Sequence, residues 1–197
     1  MKKLATLIVT AVISLSVMAQ EKTLLGGEAT NGGYGAFFTK VGQLKGGTGV
    51  YMGGQGAWLI NHRLGIGGKG YGIVNELAVE DLENIKLEFG CWGGLLEYHF
   101  FPDKLVNLHI NSMIGAGGVR YSVMDYQDPY DENAVDWSED GFFVIEPGIG
   151  LDLHIHKNFR MGLNVSYRVV NGVEYADLTN SDLNGLSAEL TLKFGVF

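Results

Sequence analysis

The chain has 197 residues, with 14 basic and 22 acidic side chains, 30 glycines, three prolines and a single cysteine. A net charge of −8 argues against nucleic acid as a partner, because its recognition rests on a basic surface that neutralises phosphates. The lone cysteine, Cys91, excludes an intrachain disulfide framework, and glycines spread through apolar alternating segments argue against an ordinary helical domain.

Residues 1–19 read as an export signal. Lys2 and Lys3 form a basic n-region, Leu4 to Val17 an apolar h-region, and Val17-Met18-Ala19 a small-x-small site, which places cleavage between Ala19 and Gln20. The apolar run is about fourteen residues, short of the roughly 20 that a helix needs to cross a bilayer. Removal is therefore expected, and the absence of a cysteine near the cut argues against a lipid anchor. Residues 20–197 then form one domain with a net charge near −10, because the two lysines leave with the signal.

Along that domain the dominant signal is a period of two. Five segments, about 34–41, 48–60, 64–74, 85–100 and 107–121, are strand-like, and three more alternate cleanly. The glycines at 65, 67, 68, 70 and 72 weaken the third strand but suit a narrow barrel, where strands bend and walls approach closely. In 85–100, Lys86 and Glu88 share one parity while Glu97 and His99 share the other, so a β-bulge is expected near Gly93-Gly94. Cys91 is expected on the apolar face with Leu87 and Phe89, as a small hydrophobe.

The segments Phe143 to Ile155, Phe159 to Val169 and Leu186 to Val196 complete eight strands. In the second of them Phe159, Met161, Leu163, Val165, Tyr167 and Val169 oppose Arg160, Gly162, Asn164, Ser166 and Arg168. Connections between successive strands run roughly 6, 3, 10, 6, 19, 3 and 15 residues, which alternates short and long after the first. That alternation places Asn61 to Arg63, Phe101 to Val106 and His156 to Asn158 on the periplasmic side and the longer connections outside the cell.

Alternation alone fits a soluble sandwich or a membrane barrel, so the charges decide. The apolar faces of the last three strands are nearly free of charge, whereas the opposite faces carry isolated charges whose burial in a soluble core would cost several kcal/mol each. A barrel lumen can pair them. The lumen set is Lys69, Lys86, Arg160, Arg168 and Lys193 against Glu88, Glu97, Glu146, Asp152 and Glu189, five of each sign. An eight-stranded barrel is only just wide enough for its own side chains, so these groups are expected to plug the lumen. Aromatic girdles are expected from Trp58, Tyr98, Phe100, Phe101 and Phe159 at the periplasmic ends and from Tyr121, Phe142 and Phe143 at the outer ends. The fold expected is all-β, an eight-stranded antiparallel up-and-down transmembrane β-barrel. A secreted lipocalin-like barrel is the alternative, and it would leave Arg160 and Arg168 outside.

The signal peptide, Phe159 to Val169 and the closing strand Leu186 to Phe197 together resemble the OmpA-like family of small outer-membrane β-barrels. The resemblance implies location in the cell outer membrane, contact with outer-membrane lipid, and insertion by the barrel-assembly machinery, whose recognition signal ends in an aromatic residue such as Phe197. Here Phe197 shares parity with Lys193 and Glu189, so it joins the lipid face only if a bulge falls at Gly195. The peptidoglycan-binding domain of longer members is not implied.

Catalytic, cofactor and metal sites are not expected. His154 and His156 share a face and could chelate, but they sit at a strand end and a turn. His109 and Ser112, three apart on one strand, fall on opposite faces and cannot form a hydrolase pair. Gly65 to Gly70 lacks the spacing of a phosphate loop and no amphipathic helix follows it. The segment 122–140 holds seven carboxylates and no basic residue, interleaved with aromatics, without calcium-loop spacing. Asp125, Tyr126, Asp128, Tyr130, Asp131 and Trp137 are its candidate surface-contact residues. The function expected is a structural or surface-interaction barrel with an unknown external partner. The alternative is a ligand-binding or lipid-modifying barrel enzyme.

Overall fold

The computed structural model describes residues 31–75, 85–123, 140–173 and 178–197, with backbone alone at 85, 86, 121–123 and 140. The proposed signal, residues 1–19, lies outside them, as do Asp125, Tyr126, Asp128, Tyr130, Asp131 and Trp137.

Among the described residues eight strands, β1 (Gly32–Leu44), β2 (Gly47–Ile60), β3 (Leu64–Ile73), β4 (Ile85–His99), β5 (Val106–Val123), β6 (Asp140–His156), β7 (Phe159–Asn171) and β8 (Gly185–Val196), close into a barrel. Each strand pairs antiparallel with its sequence neighbours, and β1 pairs with β8, so the sheet has no free edge. A one-turn helix, α1 (Asn180–Leu183), precedes β8.

The side-chain alternation predicted for β6, β7 and β8 is observed. Leu151, Leu163, Val165, Leu190 and Phe194 point outward and are exposed, while Glu146, Asp152, Asn164, Arg168, Glu189 and Lys193 point inward and are buried. Inward glycines let the narrow barrel close. A Cβ on Gly67 would meet the Ala57 Cα at 2.6 Å, and one on Gly115 would meet the Trp92 carbonyl carbon at 2.8 Å.

Several details differ from the sequence reading. No bulge interrupts β4 at Gly93-Gly94, because its register with β3 and β5 runs unbroken through both glycines. Leu87, Phe89, Cys91, Leu95, Glu97 and His99 all face inward. Cys91 thus keeps the company of Leu87 and Phe89, but in the lumen rather than on the lipid face. Glu88 points outward, where it pairs with Arg120 at 2.6 Å, and the side chain of Lys86 lies outside the described ones. Glu88 therefore does not belong to the lumen set. The apolar residues of β4 misled because the lumen itself is apolar at its far end.

Phe142 also turns inward and stacks on Phe89 at 5.3 Å between centroids, so it is not a girdle residue. The register of β8 with β1 continues through Gly195 and Val196 without a bulge, and Phe197 packs inward against Tyr34 at 5.8 Å. A register irregularity lies instead between His154 and His156 in the β6–β7 pairing.

Connections at the two ends are unequal. Near the termini they are 61–63, 100–105 and 157–158, all short. At the far end β3–β4, β5–β6 and β7–β8 are joined by 74–84, 124–139 and 172–184, whereas β1 and β2 meet in a tight hairpin. That hairpin turns on Lys45 and Gly46, at φ 44° and 74°, the left-handed pair a two-residue turn needs.

Candidate functional site: a packed polar lumen

The inward positions divide along the barrel into three zones. Nearest the termini, Tyr34, Ala36, Ala57 and Leu59 form an apolar collar with Phe197 packed on it, and the Arg160 guanidinium lies 4.0 Å from the Phe197 ring. At the far end a larger cluster includes Phe38, Tyr51, Phe89, Met113, Phe142, Val144 and Leu183. Between them lie the charged groups.

These groups pair across the bore rather than between adjacent strands. Lys40 of β1 donates to Glu146 Oε1 of β6 at 2.6 Å, and the Ser166 hydroxyl donates to the same oxygen at 2.8 Å. The Tyr71 hydroxyl donates to the other Glu146 oxygen. Lys69 of β3 reaches Glu189 Oε2 of β8 at 2.6 Å, and Thr191 Oγ1 donates to Glu189 Oε1 at 2.9 Å. Lys193 of β8 sits 3.1 Å from Asp152 Oδ2 of β6 and 3.9 Å from Glu97 Oε1. Tyr34 donates to Glu97 Oε2 at 2.5 Å. Buried charges persist when they are paired and their remaining lone pairs are hydrogen-bonded, and Glu146 and Glu189 meet that condition.

Lys69, Glu97, Glu146, Asp152, Arg160, Arg168, Glu189 and Lys193, all assigned to the lumen from sequence, are buried there. Lys40 was missed although it is fully buried. Its strand carries Tyr34, Ala36 and Phe38 on the same inward face, so no alternation of polarity marked it. His99, His109 and Asn107, also missed, are buried near the terminal end. Among the described residues His99, His109 and Asp152 bring one ligand atom each within 4.8 Å of one another. His154 and His156, the pair weighed from sequence, are not in that cluster.

Space within the polar zone is small. A cavity of about 10 Å³ lies among Gln55, Lys69, Glu97, His109, Asp152 and Lys193, about what one water requires. At the far end α1 packs against β7 and β1. Leu183 is buried, Arg168 donates from Nε to the Leu183 carbonyl at 2.6 Å and from Nη2 to the Gln43 carbonyl at 2.8 Å, and the Lys45 amide donates to the Asp182 carbonyl at 2.6 Å. One guanidinium therefore ties the helix to the β1–β2 hairpin.

The outer surface reverses this polarity. Phe37, Met52, Trp92, Ile114, Ile149 and Leu163 are among many large apolar side chains fully presented to the surroundings. Trp58, Tyr98, Phe100 and Phe101 gather toward the terminal end, with Tyr98 and Phe100 edge-to-face at 5.2 Å. An apolar belt outside a charged interior, flanked by aromatics, defines the class of small transmembrane β-barrels.

Solved structures of that class share the fold. Neisserial surface protein A (NspA) superposes with a TM-score of 0.57 at 13% identity, over 86% of this chain and 99% of its own. The N-terminal β-barrel domain of Pseudomonas aeruginosa OprF gives 0.53 at 10% identity, over 82% and 96%. The attachment invasion locus protein Ail of Yersinia pestis, in complex with the heparin analogue sucrose octasulfate, gives 0.52 at 14% identity, over 86% and 99%. At such identities the likeness is one of fold. No family model matches the sequence, and no curated protein is similar to it.

Proposed function

We propose that this chain is an exported integral outer-membrane barrel that acts by surface contact through its far-end connections, on a lumen too filled to conduct. The observation that carries this reading is the packing of the bore. Three cross-lumen ion pairs leave the polar zone with a cavity of about 10 Å³. A molecule without a passage has its outward chemistry at its ends. The longer connections at the far end support its assignment to the cell exterior, by the usual asymmetry of such barrels. The acidic and aromatic residues Asp125, Tyr126, Asp128, Tyr130, Asp131 and Trp137 fall on the connection between β5 and β6, where a cationic, glycan or protein partner would meet them.

The enzymatic alternative has no comparable support. His109 faces inward, and Ser112, of opposite parity, does not join it. An epitope tag after Asn133 tests the surface reading. Antibody should label intact cells while the barrel still assembles. Labelling only after the outer membrane is permeabilised would invert the topology and remove the reading.

A further inference from the structure

We infer that His99, His109 and Asp152 form a binding site for a divalent first-row transition ion in the terminal end of the lumen. The three come from β4, β5 and β6, and the sheet register puts them together. His99 lies directly opposite His109, and Asp152 lies opposite Asn107, one inward position from His109. The imidazole centroids are 5.3 Å apart. His109 Nδ1 is 3.5 Å and His99 Nδ1 is 3.8 Å from Asp152 Oδ2. Tetrahedral ligands at zinc bond lengths lie about 3.4 Å apart, so the two histidine–carboxylate spacings need little contraction, while the ligand atoms as a set, within 4.8 Å of one another, must draw closer for an ion to bridge all three.

Independent of that spacing, the site is short of partners. His109 Nδ1, which faces Asp152 Oδ2, is buried with no hydrogen bond in a residue 3% exposed, and Asp152 keeps its other oxygen, Oδ1, without one as well. Native interiors rarely leave such groups unpaired, because each one costs about 1–3 kcal/mol. Backbone gaps accommodate the cluster. A Cβ on Gly150 would lie 2.6 Å from His109 Cε1, and one on Gly162 would lie 2.6 Å from Asp152 Oδ1.

Two existing contacts define the exchange that binding requires. Asn107 Nδ2 is 2.6 Å from His99 Nδ1, and its Oδ1 accepts from the Phe101 amide at 2.9 Å, which fixes the amide as a donor to His99. The imidazole then carries its proton on Nε2, facing Glu97 Oε2 at 3.6 Å. An ion on Nδ1 replaces the Asn107 bond and leaves Nε2–H directed at a carboxylate, the outer partner that orients a ligating histidine. Lys193 yields Asp152 Oδ2 and retains Glu97, 3.9 Å away. The adjoining cavity of about 10 Å³, lined by His109, Asp152 and Glu97, has room for the one water that would complete a site with three protein ligands.

The test is cobalt titration of the purified, folded protein, read by the visible absorption of four-coordinate Co²⁺, with displacement by Zn²⁺. One equivalent should bind. Both His109→Gln and His99→Gln should weaken binding more than about 100-fold, beyond the effect expected for an outer-shell partner. His156→Ala, at an exposed position, should leave it unchanged. Folding of every variant is checked by heat-modifiable migration, and the two histidine variants stand in for each other if one fails to fold. The site is overturned if the folded wild type binds no Co²⁺ stoichiometrically. It is equally overturned if the folded glutamine variants bind as tightly as wild type, or if His156→Ala abolishes binding.

Discussion

At the scale of single residues, the polar lumen depends on each charge having a fixed partner. Lys40 illustrates this. Its ammonium is fully buried, 2.6 Å from Glu146 Oε1 and 4.1 Å from the Tyr71 ring centroid. Replacing it with methionine keeps the stem but strands the Glu146 carboxylate, and removing one member of a buried pair costs about 3–5 kcal/mol. Lys40→Met should therefore lose that much stability in urea unfolding of the protein refolded into lipid vesicles. A loss below about 1 kcal/mol would mean that water reaches Glu146 and that the lumen is not packed as described. The lumen charges on β6 to β8 were legible in sequence because their strands alternate without interruption. Lys40, His99 and His109 were not, since apolar inward neighbours hide the first and only inter-strand register brings the other two together.

At the scale of elements, the period of two located all eight strands, and its failures have physical causes. In β4 the inward face is apolar from Leu87 to Cys91 and polar at Glu97 and His99, because the strand passes from the far apolar cluster into the charged zone. A change of environment along one face thus mimicked a change of face. The four-residue helix α1 left no periodic signal, being too short to show one. It is held by a local cap, in which Asp182 accepts from the Thr179 amide at 2.8 Å, and by tertiary contacts such as the Arg168 bond to the Leu183 carbonyl. Arg168→Lys keeps the charge but loses the planar fork that reaches both Leu183 and Gln43. Hydrogen exchange at the Asn184 amide, bonded to the Asn180 carbonyl at 3.1 Å, should accelerate at least about ten-fold, consistent with loss of roughly 1.5–3 kcal/mol from a charged hydrogen bond. Unchanged exchange there would show that α1 is anchored without Arg168, by Leu183 burial and the Lys45–Asp182 backbone bond.

At the scale of the whole molecule, the arrangement inverts a soluble protein: charges inside, apolar side chains outside, and no sheet edge to leave backbone groups unpaired. That is the solution hydrocarbon imposes, since every backbone polar group must be satisfied internally. The central claim is that the outer face meets lipid, and Trp92 reports on it directly. Its side chain is 73% exposed on the outer face of β4. In a variant retaining Trp92 as the sole tryptophan, with Trp58 and Trp137 replaced by phenylalanine, fluorescence should be strongly quenched by lipids brominated on their acyl chains and little affected by aqueous acrylamide. Efficient acrylamide quenching with no effect of brominated chains would place the apolar face in water or against another protein, and would contradict the account.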